Sequence, residues 1–350
     1  MSTQQDTPAW RRQLSEAIQQ PERLLDRLGL PASLLPPAVA AGGLFRLRVP
    51  EAFVRRMRAG DPDDPLLKQV LPVGAELCDV AGFGDDPLQE TGRGGTPGVI
   101  EKYRGRSLLV TTGACAVNCR YCFRRHFPYQ QERGEDGRWT AALRHLAFDE
   151  SVNEIILSGG DPLVLDDQRL SELSDHLQDI PHLKRLRVHT RLPIVIPDRV
   201  NDALLRWLSG SRLTTVVVLH ANHPNEIDAS VRQAALRLRG AGITVLNQSV
   251  LLAGINDDAE TLCALSERLF EAGVLPYYLH LLDPVRGAAH FDVPEPRARA
   301  LAADMAARLP GYLTPKLVRE EPGEPNKTLI APGSQDCEEF GQNAAVTGIC

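Results

Sequence analysis

The stretch GACAVNCRYCFRRHFP, Gly113–Pro128, carries three of the seven cysteines of this 350-residue chain. Cys115, Cys119 and Cys122 are spaced C-x3-C-x2-C, and no fourth cysteine follows nearby. Three thiolates can hold a metal centre but leave one position open. One donor set that would close it is a structural Cys3His zinc site with His126 as fourth ligand. Such sites usually pair ligands across two short knuckles, whereas all three cysteines here fall in one loop. The other is an iron–sulfur cubane, normally held by four thiolates; with three, one iron is left to bind a substrate or cofactor.

The surroundings of the loop favour the cluster. From about Arg106, short β-branched or apolar runs alternate with helical stretches. The candidate strands are Ser107–Thr112, Glu154–Ser158, Leu186–Thr190, Thr214–His220, Thr244–Leu251 and Tyr277–Leu282. Between them lie amphipathic segments such as ASVRQAALRLRG and DAETLCALSERLFEAG, closed by Gly240 and Gly273 as helix C-caps would be. Six βα units with right-handed crossovers predict an α/β fold, a parallel sheet curled into a partial (β/α)6 barrel. Polar residues recur where such a barrel would use them. The cysteines follow the first strand and GGDP the second, while His189 and Arg191 close the third. His220 and Asn222 end the fourth, Gln248 lies within the fifth and Asp283 ends the sixth. Side chains at C-terminal strand ends converge on one mouth of a parallel barrel, so these residues are expected to share an active site.

Residues 1–95 read as a helical, irregular region interrupted at Pro21, expected to act as a lid or a homodimerisation element. Residues 96–330 are expected to form the barrel, and 331–350 a C-terminal tail. Composition is that of an ordinary globular protein, 43% apolar and 24% charged. A net charge of −6 argues against a nucleic-acid partner, and the basic run RRMR at Arg55–Arg58 reads as a solvated helix face. The start lacks a basic-then-apolar leader, and no run reaches the roughly 18 apolar residues of a membrane span. A cytoplasmic location is therefore expected, where thiols stay reduced and clustered cysteines point to metal. Cys78, Cys263, Cys337 and Cys350 are scattered and read as core or incidental thiols.

The cysteine spacing after the first strand, with a Gly-rich turn after the second, resembles the radical S-adenosylmethionine (SAM) superfamily. In that family the amino and carboxylate groups of SAM fill the open iron position of a [4Fe-4S] cluster. CRYCFRRHF, LSGGDPL, HTRLPIVIP, HANHPNEI and NQSVLLAGIND together resemble the lysine 2,3-aminomutase family over about Thr96 to Lys327. The length and the ending PKLVREEPGEPNK are most similar to the short bacterial members that serve elongation factor P.

The resemblance implies further roles. Gly159, Gly160 and Asp161 would lie against SAM: the glycines permit close backbone approach, and Asp161 can accept from an ammonium. His220 and Gln248 also match positions near SAM. A second cofactor, pyridoxal 5′-phosphate (PLP), would be held on Lys327, because only a primary amine forms an exchangeable imine. Taken alone, a lysine in a Pro/Gly loop reads as a solvated charge. Tyr103 and Arg106 match residues around PLP. Arg124 corresponds to an arginine that clamps the substrate carboxylate, a task suited to a planar guanidinium. Asp283 and Glu320 correspond to two carboxylates that bind the distal amine of lysine, although the family usually has Asp at the second position. The implied reaction moves the α-amino group of L-lysine to the β-carbon. The implied partners are an electron donor such as flavodoxin or ferredoxin and a lysyl ligase that attaches (R)-β-lysine to elongation factor P. An aminomutase for another amino acid, a radical SAM enzyme without PLP and a zinc-stabilised binding protein are the alternatives. Cys337 and Cys350 form no evident zinc site.

Overall fold

TTVVVL, Thr214–Leu219, is too short and too β-branched for a helix, and it lies at the centre of the sheet. The computed structural model describes residues 7–91, 95–130 and 139–333. Cys337, Cys350 and nearly all of the expected tail fall outside them. The nine strands are β1 Val99–Tyr103, β2 Arg106–Thr112, β3 Glu154–Gly159, β4 Arg185–Thr190, β5 Thr214–Leu219, β6 Thr244–Val250, β7 Leu275–His280, β8 Lys316–Arg319 and β9 Thr328–Leu329. They pair in sequential order. β2 through β8 are parallel, while β1 and β9 pair antiparallel at the two edges.

Helical segments follow each of β2–β7, which makes the six expected βα units. β8 adds a seventh parallel strand and the edges add two more that the sequence pattern had not marked. The helix after β5 runs Ala229–Gly240, but its left-handed terminating residue is Gly242 (φ +80°), not Gly240. Gly273 (φ +76°) does end the next helix, Ala259–Glu271.

The N-terminal helices are not solvated appendages. Trp10, Leu24 and Phe53 belong to the same buried cluster as Ile155, Leu186 and Val217 of the sheet. Arg56 was expected on a solvated face; its guanidinium is instead buried and donates to the carbonyls of Ile194 and Glu226 at 2.5 Å each. In the turn that follows the short helix Glu51–Val54, this long side chain reaches carbonyls of two distant segments, and those bonds offset its desolvation. Deeper still, Glu76 sits fully buried between Arg120 and Arg125, which lie on either side of Cys122 in the chain. This triad fastens the cysteine loop to the N-terminal region. Among the described residues, no helix is long and apolar enough to cross a membrane.

Candidate active site

In β4 the side chains alternate: Leu186 and Val188 are buried against the helices, while Arg187 and His189 turn to the inner face. There they help line a cavity of about 350 Å3. The same cavity is lined by Cys115, Cys119 and Cys122, by Gly159, Gly160 and Asp161, by His220 and Gln248, by Tyr103 and Arg106, and by Arg124, Asp283, Glu320 and Lys327. Residues from the whole width of the sheet thus meet in one space. Asn222 does not line it; its side chain bonds to Gln69 and to the Val250 amide instead.

Burial pushes the Cys115 and Cys122 thiols up, the latter to about 11. Among the described residues, the one group of three or more candidate ligand atoms all within 4.8 Å of one another is Glu101, His145 and Asp149 at the surface. His126 is turned away: its Nε2 lies 3.2 Å from the Arg286 carbonyl and 3.8 Å from Asp85. Three thiols lining one cavity fit a three-thiolate cluster, and with His126 held at Arg286 and Asp85 the fourth ligand of a Cys3His zinc site is not in place.

The turn after β3 departs from expectation in its detail. A Cβ on Gly160 would stand 2.4 Å from the Ala114 carbonyl oxygen, and Gly159 adopts φ +107°. These glycines let the turn pack onto the backbone of the cysteine loop, joined by Gly160 N–H to Thr112 O and Asp161 N–H to Ala114 O. Asp161 was expected to take an ammonium. Its carboxylate accepts instead from the Leu163, Arg191 and Leu192 amides and the Thr190 hydroxyl. Those four donors fill the lone-pair sites of a carboxylate, so its task is to tie the β3 and β4 turns together.

Arg124 also differs. It was expected to clamp a ligand carboxylate through both arms, but its Nε and one terminal nitrogen already donate to Glu90 at 2.6 and 2.8 Å. Burial pulls this guanidinium's pKa down, and the Glu90 carboxylate overrides that, holding it above its ordinary value. The other terminal nitrogen donates to Ser158, which lines the cavity as Glu90 does not. One edge of Arg124 is anchored from behind and the other is presented inward.

At the far side, Lys327 Nζ pairs with the Glu320 carboxylate and lies 5.9 Å from the centre of the Tyr278 ring. Tyr103 hydrogen-bonds the same carboxylate, and burial together with that charge raises its hydroxyl pKa. Arg106 stacks on Tyr103 at 4.8 Å. Arg106, Arg187 and Lys316 give this wall three cations beside the lysine amine, an environment that fits an anionic, carbonyl-bearing cofactor such as PLP. Between the two walls, His189 and His220 meet edge to face at 5.6 Å, and Nε2 of each has no hydrogen-bond partner. Burial holds both neutral, His220 with a pKa lowered to about 3.

Glu90, Arg187, Tyr277 and Tyr278 were missed from sequence. For Arg187 there was a signal: R-L-R-V-H-T places a polar side chain at every second position of a strand whose other face is apolar. For Glu90 there was none, because it lies 34 residues from its partner in an irregular segment.

A family model for the radical SAM superfamily matches residues 109–265. The chain is 48% identical to the L-lysine 2,3-aminomutase of Haemophilus influenzae, over 92% of this chain and 95% of that protein. It is 49% identical to that of Escherichia coli, over 92% and 94%. The L-lysine 2,3-aminomutase of Clostridium subterminale is 31% identical over 92% of this chain and 78% of its own length.

Proposed function

Because the chain belongs to the lysine 2,3-aminomutase family of the radical SAM superfamily, we propose that it converts L-α-lysine to (R)-β-lysine, which a lysyl ligase then attaches to elongation factor P. The observation that carries this reading is the one cavity lined by three thiols, a lysine amine, an inward-facing arginine edge and the carboxylates of Asp283 and Glu320. We assign the [4Fe-4S] cluster to Cys115, Cys119 and Cys122, SAM to the space beside Gly159, Gly160, His220 and Gln248, and PLP to Lys327 with Tyr103 and Arg106. When bound, the cluster with SAM would supply a hydrogen-abstracting radical, and PLP would supply a conjugated system that takes up the unpaired electron while nitrogen passes from the α- to the β-carbon of the substrate.

The chain's own groups supply binding and orientation. The anchored Arg124 presents its inner edge to the substrate carboxylate. Glu320 now holds the Lys327 ammonium, a group chemically equal to the distal ammonium of the substrate. That carboxylate, with Asp283 lining the same cavity, would hold the cationic tail of the substrate. The neutral histidines between the walls add no charge to a space where Arg124, Arg187 and Lys327 already cluster. An enclosed site keeps water from the reactive species and holds the reactants in contact. We place the enzyme in the cytoplasm with flavodoxin or ferredoxin as electron donor.

The test is anaerobic turnover of the reconstituted protein with SAM, PLP and dithionite on L-lysine and, separately, on L-glutamate, followed by chiral analysis. (R)-β-lysine alone is expected. (S)-β-lysine overturns the elongation factor P role, and a β-amino acid from glutamate alone overturns the substrate.

A further inference from the structure

Arg191 is buried, and its side chain reaches one of the cluster cysteines. One terminal nitrogen lies 2.7 Å from Cys119 Sγ and 2.7 Å from the Tyr121 hydroxyl. The other donates to Gln69 Oε1 at 2.6 Å and to Glu226 Oε2 at 2.9 Å. Glu226 is fully buried, and its second oxygen accepts from the Asn222 and His223 amides and from Gln69. The result is a charge pair with a fixed direction: cation against the sulfur, anion behind it. Apolar residues of like volume often stabilise an interior as well as a buried ion pair does, so stability alone does not account for this polarity.

We propose that Arg191 is a positioning residue that sets the reduction potential of the cluster through Cys119, with Glu226 as the counter-charge that limits the effect. The inference rests on the assignment of the cluster to Cys115, Cys119 and Cys122. Reduction adds one negative charge to the cubane, and a cation with N–H donors at a ligand sulfur stabilises that form. In the low-dielectric interior a full charge at contact distance acts strongly on that equilibrium. Arg191 therefore raises the potential and Glu226 lowers it.

The measurement is a redox titration of reconstituted protein without SAM, followed by the electron paramagnetic resonance signal of the reduced cluster, with iron and sulfide determined alongside. At the potential where the parent is half reduced, Arg191→Gln should be less than half reduced and Glu226→Gln more than half reduced. Arg191→Lys, which keeps the charge but loses the fork, should fall between Arg191→Gln and the parent. Glu226→Gln is close to isosteric and keeps an acceptor for the two amides, so it decides the matter even where Arg191→Gln does not fold. Shifts of the same sign in both Gln variants, or none in Glu226→Gln, overturn the inference and leave the cluster assignment standing. A parent protein that assembles no cubane overturns both.

Discussion

Glu320 is one methylene longer than the Asp expected at its position, and it reaches Lys327 Nζ and Tyr103 together. That contact makes the substrate assignment testable at a single atom. Glu320→Gln keeps the shape and loses the charge; losing one charge-assisted bond of about 1.5–3 kcal/mol should raise KM for lysine roughly 10- to 100-fold. Steady-state kinetics read this directly, and an unchanged KM removes Glu320 from the substrate site. His220 offers a second residue-scale test. Its folded pKa of about 3 lies far below the ordinary 6.5. The unfolded chain therefore takes up a proton first as pH falls below 6.5, and stability is lost down to about pH 3. At pH 5 this single group accounts for about 2 kcal/mol. The Tm of His220→Asn should fall less between pH 7 and pH 5 than that of the parent; equal falls would show that the imidazole is not held neutral. Residue identities of this kind were readable in the sequence, but their partners were not. Arg124 with Glu90 and Asp161 with Thr190 join residues that are distant in the chain, and no local pattern encodes such a pairing.

At the scale of elements, the six βα units were legible because β-branched runs and amphipathic helices alternate with different periods. The strands that escaped notice are short or charged: KLVR in β8, VIEKY in β1 and two residues in β9. They are strands because neighbours pair with them, and pairing is a tertiary fact. The same holds for the β3 turn, whose glycines line the cavity and also pack onto the backbone of the cysteine loop, a contact that no local pattern announces. Gly160→Ala tests that contact. A methyl 2.4 Å from the Ala114 oxygen forces the two backbones apart, at a cost of about 1–3 kcal/mol for overpacking. The expected result is a lower Tm together with loss of reconstituted iron, because the turn supports the loop that carries the thiols. Full iron content in a folded variant would mean that the two loops are independent.

Over the whole molecule, the chain gathers one cavity from both ends of its sheet. The three thiols follow β2 near one edge, and Lys327 precedes β9 at the other. An open sheet curled to this degree brings the two walls face to face around the histidine pair, while the N-terminal helices, joined to the same core, back the cysteine loop through Glu76. The convergence at the strand ends could be anticipated, since parallel barrels always present that mouth. The union of the N-terminal region with the core could not, because its apolar residues read equally well as the underside of a separate lid. The central claim is that this cavity moves an amino group within one lysine molecule. It is tested most directly by anaerobic turnover of L-lysine labelled with 15N at the α-amino group. The account predicts β-lysine with the full label on the β-nitrogen. Label lost to solvent ammonia, or β-lysine with unlabelled nitrogen at the β-carbon, would contradict it.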